Sequence, residues 1–214
     1  MKKEKVIKRV SIYASYLLLV WGFYRLLFKL PNEIEEIVVK PVTWLLPLCY
    51  LLKVEKQKLS SIGLTFKNIF PAIYYSMTLG VVFVLVAMIS NFIKYGGFEF
   101  TANIGQGMLI SSLALSFVTA ISEEISFRGY IFNRLWQVVG NEWVANLAST
   151  IIWTLIHLPI TIFVWKLNLS NALIYLFLTT LFGVGSAFVF ARTKNIFSSI
   201  LLHVLWEWPI ILFR

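Results

Sequence analysis

Seven long apolar runs divide the chain, at about residues 10–28, 38–52, 69–93, 108–131, 143–165, 171–191 and 195–213. Roughly 20 apolar residues in a helix cross a hydrocarbon core. In lipid a segment must satisfy its own backbone polar groups, so unclosed runs of this length fold as helices and not as open sheet. With 59% hydrophobic and 14% charged residues among 214, and a mean hydropathy of +0.80, the chain has too little polar surface to coat a water-soluble globule. The expected fold is an all-α, polytopic membrane helix bundle of about seven transmembrane helices, read as a single integral membrane domain over residues 1–214. The second run, Val38 to Leu52, is short and carries Pro41 and Pro47, so it is expected to be tilted, broken or re-entrant. The first run follows Met-Lys-Lys-Glu-Lys without a small-residue cleavage pattern, and is expected to be a retained helix.

Basic residues fall at the ends of these runs and set the orientation. An N-terminus in the cytosol puts Lys2, Lys3, Lys5, Lys8, Arg9, Lys53, Lys56, Lys58, Lys67, Arg128, Arg134, Arg192 and Lys194 inside, against Lys29, Lys40, Lys94, Lys166 and Arg214 outside. The net charge of +9 is thus a topology signal and not a nucleic-acid patch. The basic loop at 53–67 is expected to lie on lipid headgroups. The single cysteine, Cys49, excludes a disulfide framework and a cysteine metal cluster. The expected location is a cell membrane, multi-pass, and the composition, rich in Ile, Lys and Phe and without Asp, points to a bacterium.

Against this background the ionisable residues inside the runs stand out, because a charge at bilayer depth costs on the order of 2.5–3.5 kcal/mol and marks a functional site by default. Glu123, Glu124 and Arg128 lie within the fourth run. Residues four apart share a helix face, so Glu124 is expected to pair with Arg128 while Glu123 points elsewhere as an unpaired acid able to accept a proton. The only two histidines, His157 and His203, also fall in runs, and Glu207 stands one turn beyond His203. The other acids, Glu4, Glu33, Glu35, Glu36, Glu55, Glu99 and Glu142, fall in tails, loops or helix ends. On straight helices His157 lies about 21 Å from a cytosolic start at Trp143, nearer the outer leaflet than Glu123 or His203, unless residues 129–142 dip into the bilayer.

These residues form three motifs in order. Glu-Glu-x-x-x-Arg occurs at Glu123, Glu124 and Arg128, aromatic-x-x-x-His at Trp153 and His157, and His-x-x-x-polar at His203 and Glu207. The pattern resembles the CPBP family of intramembrane proteases, also called the Abi or type II CAAX protease family, with its catalytic core at about 108–213. The resemblance implies an endopeptidase in which Glu123, helped by His157, activates a water, and His203 with the polar residue after it stabilises the oxyanion. It implies supporting roles for Glu124, Arg128, Trp153 and Glu207. Trp153 replaces the family's usual phenylalanine, and Glu207 stands where asparagine or aspartate is common, which favours an orienting role for Glu207 toward His203; Trp206 or Trp208 could supply an indole donor nearby. No cofactor is required. Zinc is the alternative, on Glu123, His157 and His203, although the His-Glu-x-x-His spacing of a preformed site is absent. The expected partners are membrane lipid and a peptide or membrane-protein substrate.

Absence of aspartate excludes a di-aspartyl protease. Ser186, in Gly183-Val184-Gly185-Ser186-Ala187, is read as helix packing and not as a nucleophile. The competing readings keep the same fold without proteolysis, as an acyl-transfer component for lipoproteins or a bacteriocin-immunity scaffold, with a proton-coupled transporter less favoured because no inverted repeat is visible.

Overall fold

A computed structural model describes residues 3–28, 30–98 and 109–213. Lys2, Lys29, Glu99, Met108 and Arg214, and the side chains of Lys94 and Trp208, lie outside the described residues. The described residues form seven successive helical runs joined by short turns, with a 3-10 turn at Leu59–Ile62. These are α1 (Lys3–Leu27); α2, residues 32–55, ending in Lys40–Glu55; α3 (Ile69–Tyr95); α4, residues 109–139, starting as Leu109–Glu124; α5 (Glu142–Val164); α6 (Leu169–Thr193); and α7 (Ile196–Phe213). Five stretches are long and apolar enough to cross a membrane, namely Lys3–Leu27, Glu35–Glu55, Ile69–Ile93, Glu142–Val164 and Leu169–Thr193. α7 adds the shorter apolar Ile196–Glu207. Large apolar side chains such as Leu19, Phe23, Val81, Leu85 and Ile89 face outward, the surface that a hydrocarbon solvent rewards and water penalises.

Three segments widen into π-helix: Glu35–Val39 in α2, Ile125–Phe132 in α4 and Ile160–Val164 in α5. Such turns shift the face that a helix presents and occur often at functional sites. The one in α4 directly follows Glu124, and residues 122–134 are buried on every side. α4 is therefore a central helix, packed against α7, α5 and α2. Gly129 is required there, because a Cβ would come within 2.8 Å of the Ile62 carbonyl.

Two expectations about helix extent are corrected. α4 does not end near residue 131 but continues through Asn133–Val139, since Arg134 is satisfied internally, its Nε donating to Glu55 Oε2 at 3.0 Å and its Nη2 to Ser61 Oγ at 3.0 Å. α2 is neither short nor broken: it starts at Asn32, and Pro41 in the first turn of Lys40–Glu55 and Pro47 inside it do not stop it. As a result Glu35 and Lys40 are buried residues inside the helix, and Glu55 is a buried residue at its end. Glu55 also accepts from Tyr130 at 2.8 Å and pairs with Arg9 at 3.8 Å, tying α1, α2 and α4 together at one end of the bundle. At the same end Arg192 pairs with Glu142, joining α5 to α6.

The longer α4 also removes the depth mismatch of His157. α4 and α5 form a hairpin around Gly140 and Asn141, and Glu124 and His157 each stand about 16 residues, or roughly 24 Å, from that turn. No dip of residues 129–142 is needed to bring them to one level.

Candidate active site

Glu124 is the buried centre of a node that joins three helices. Its Oε1 accepts from Arg128 Nη1 at 3.1 Å and faces His203 Nδ1 at 2.7 Å, and its Oε2 accepts from Ser186 Oγ at 2.6 Å. The i, i+4 pairing with Arg128 is the one expected from the sequence, and it is almost wholly removed from solvent. Arg128 also donates to the Gly183 carbonyl at 3.4 Å and stacks its guanidinium 4.3 Å from the centre of the Trp153 ring. Gly183 permits this approach of α6 to α5, because a Cβ would lie 2.8 Å from Thr150 and 3.2 Å from Trp153. Ser186, read from sequence as packing alone, is a hydrogen-bond donor to the acid.

Glu123 is not the unpaired acid that the sequence suggests. Lys40 of α2, expected in an outer loop, donates from Nζ to Glu123 Oε1 at 2.7 Å. The other oxygen, Oε2, faces His203 Nε2 across 4.0 Å, too far for a direct hydrogen bond and within the span of one bridging water or substrate atom. Trp153, at the level of both, has its ring 5.8 Å from that of His203 and 5.0 Å from that of Phe127. Its buried indole N–H has no hydrogen-bond partner, an arrangement that costs about 1–3 kcal/mol where nothing compensates it.

His203 is held at both nitrogens. Nδ1 meets Glu124, and Nε2 lies 3.4 Å from Glu207 Oε1 as well as near Glu123. An imidazolium, with a donor at each nitrogen, satisfies carboxylates on both sides. Orientation of the ring thus comes chiefly from Glu124, whereas the expected orienting partner Glu207 sits on the nitrogen that faces Glu123 and is itself fixed by Ser116 Oγ at 2.5 Å. Trp206 is not placed as a donor to this group; it stacks on Phe182, whose ring contacts His203 at 4.8 Å.

Residues 105–209, which carry all of these groups except Lys40, match the family model of the type II CAAX prenyl endopeptidases, Rce1-like. Over these residues, just under half of the chain, it is similar to the Rce1-like family. No curated protein matches it. The match supports the general class, a CAAX-type intramembrane endopeptidase with a peptide or protein substrate in a membrane.

His157 stands beside Trp153, at the end of the same helix. It caps the end of Glu142–Ile156, its Nδ1 is 2.7 Å from the Trp153 carbonyl of its own helix, and its ring packs at 4.4 Å on Trp153. Among the described residues, His203 comes within 4.0 Å of Glu123 and His157 does not. The residues also fit zinc poorly. No three His, Cys, Asp or Glu among the described residues are placed to hold a metal ion, and the ammonium of Lys40 already occupies Glu123 Oε1.

Proposed function

We propose that this protein hydrolyses a peptide bond within the membrane by direct attack of water, without a metal. The observation that carries the reading is the 4.0 Å gap between Glu123 Oε2 and His203 Nε2, a proton acceptor facing a donor in a buried, polar-lined setting. A water in that gap gives its proton to Glu123 Oε2 as its oxygen bonds to the scissile carbonyl carbon. The carbonyl oxygen becomes an oxyanion that accepts from His203 Nε2–H, taking the place of Glu207 Oε1. The tetrahedral intermediate then collapses, the carbon–nitrogen bond breaks, and the proton on Glu123 passes to the leaving amine. Glu124, braced by Arg128 and Ser186, keeps His203 aligned for this task. His157, packed on Trp153 one turn earlier, assists Glu123. The protein works in a cell membrane, and the substrate is a membrane-bound or lipid-anchored polypeptide.

The probe we choose for a CAAX prenyl endopeptidase is an internally quenched farnesylated peptide ending in a CAAX sequence, offered to the protein in liposomes. The wild type is expected to cleave it. His203→Ala should lower kcat about 10²–10³-fold, the range for removal of one oxyanion donor. Glu207→Gln, which keeps the side chain but not the charge, should cost only about 10-fold. Equal rates for wild type and His203→Ala would refute the assignment.

A further inference from the structure

The N-terminal part of the chain, outside residues 105–209, reaches into the site through the side chain of Lys40. Lys40 is 3% exposed, and its ammonium is held between two carboxylates, Glu123 on α4 and Glu36 one turn earlier on its own helix. Glu36 in turn accepts from Thr119 Oγ1 at 2.8 Å, one turn before Glu123 on α4, and pairs with Arg25 Nη2 of α1 at 3.5 Å. Arg25 is fixed by Glu35 at 2.6 Å. The π turn Glu35–Val39 sets Glu35 toward Arg25 and Glu36 toward Lys40, and the rings of Trp21 and Trp44 stand 5.3 and 5.7 Å from the ammonium. A cation so enclosed cannot wander, and its position is set by α1 and α2 together.

We infer that Lys40 is a positioning residue for Glu123, anchoring Oε1 so that Oε2 faces His203 Nε2 across the gap where water is activated. This rests on the reading of Glu123 as the base. A carboxylate has two equivalent oxygens and rotates about its terminal bond, so a free Glu123 would have no fixed face. With Oε1 bound at 2.7 Å, the second oxygen has one direction left. Misplacement of a reacting group by about 1 Å costs on the order of 10²-fold in rate. The two N-terminal helices are then part of the catalytic geometry and not a mere membrane anchor.

The test compares Lys40→Met, Lys40→Arg, Glu36→Gln and Glu123→Gln in liposomes with the farnesylated CAAX probe. Lys40→Met should lower kcat about 10²-fold with KM changed less than about threefold. Lys40→Arg, which keeps a cation on Oε1, should recover at least about a tenth of wild-type kcat. Glu36→Gln, which leaves the lysine but loosens it, should lower kcat about 10-fold. A second readout needs no turnover: labelling of Glu123 by a hydrophobic carbodiimide, mapped by mass spectrometry, should rise several-fold in Lys40→Met as the carboxylate loses its ion-pair partner. If Lys40→Met does not fold, Glu36→Gln decides. Wild-type kcat in Lys40→Met or in Glu36→Gln, with Glu123→Gln inactive, would overturn the role of Lys40 alone. Activity in Glu123→Gln would overturn the base assignment and this inference together.

Discussion

Glu123→Gln is expected to give a protein that inserts and folds but cleaves at least about 10²–10⁴-fold more slowly, the range for loss of a general base. The glutamine keeps the volume and an oxygen for Lys40, so the packing around α4 survives. What disappears is the carboxylate oxygen that faces His203 Nε2 across the 4.0 Å gap. Rates measured on the farnesylated probe, with folding checked by circular dichroism, give the result. A scaffold that binds without cleaving would tolerate the change in every assay of binding, and a proton-coupled transporter would lose flux and not hydrolysis.

The largest structural effect is expected from Arg128→Met. The guanidinium is 2% exposed, and its loss leaves Glu124 as a buried carboxylate with only His203 and Ser186 as partners. Removing one member of a buried pair costs about 3–5 kcal/mol where the remaining charge is left uncompensated, and here the His203 imidazolium offsets part of that cost. The cation that stacks on Trp153 is lost as well. The variant should therefore show a lowered melting temperature in detergent or fail to accumulate. The double variant Arg128→Met with Glu124→Gln removes both charges and should regain a large part of that stability, while activity stays low because His203 Nδ1 meets a neutral amide in place of a carboxylate. A single variant as stable as wild type would mean that the ion pair does not hold the node.

The residues of this site were readable in the sequence because charge and imidazole are rare in apolar runs. Glu123, Glu124, Arg128, His157, His203 and Glu207 needed no alignment to be noticed, and i, i+4 spacing alone gave the Glu124–Arg128 pair. The partners that come from other helices were not readable in this way. Lys40 and Glu123 are 83 residues apart, and nothing periodic links them. Reading Glu35, Glu36 and Lys40 as loop or helix-end residues also hid their burial: Glu35 pairs with Arg25 and Glu36 with Lys40, so they can enter the bilayer region at lower cost. The extent of α4 was missed for a similar reason. Asn133, Arg134 and Gln137 look like the start of a loop, yet Asn133 and Arg134 donate inward to Ser61 and Glu55. Ser186 looked like packing because its small size serves packing too, and only the approach of α6 to α4 shows that its hydroxyl ends on Glu124.

The central claim is that water itself attacks the peptide carbonyl, and isotope transfer in a single turnover tests it most directly. With enzyme in excess over the farnesylated probe in H₂¹⁸O, the first-turnover product should carry one ¹⁸O in its new carboxyl group, and Glu123 should carry none. An unlabelled product with ¹⁸O in the Glu123 side chain would show a covalent acyl-enzyme, and an amide product from added amine would show acyl transfer. Either result would contradict direct hydrolysis.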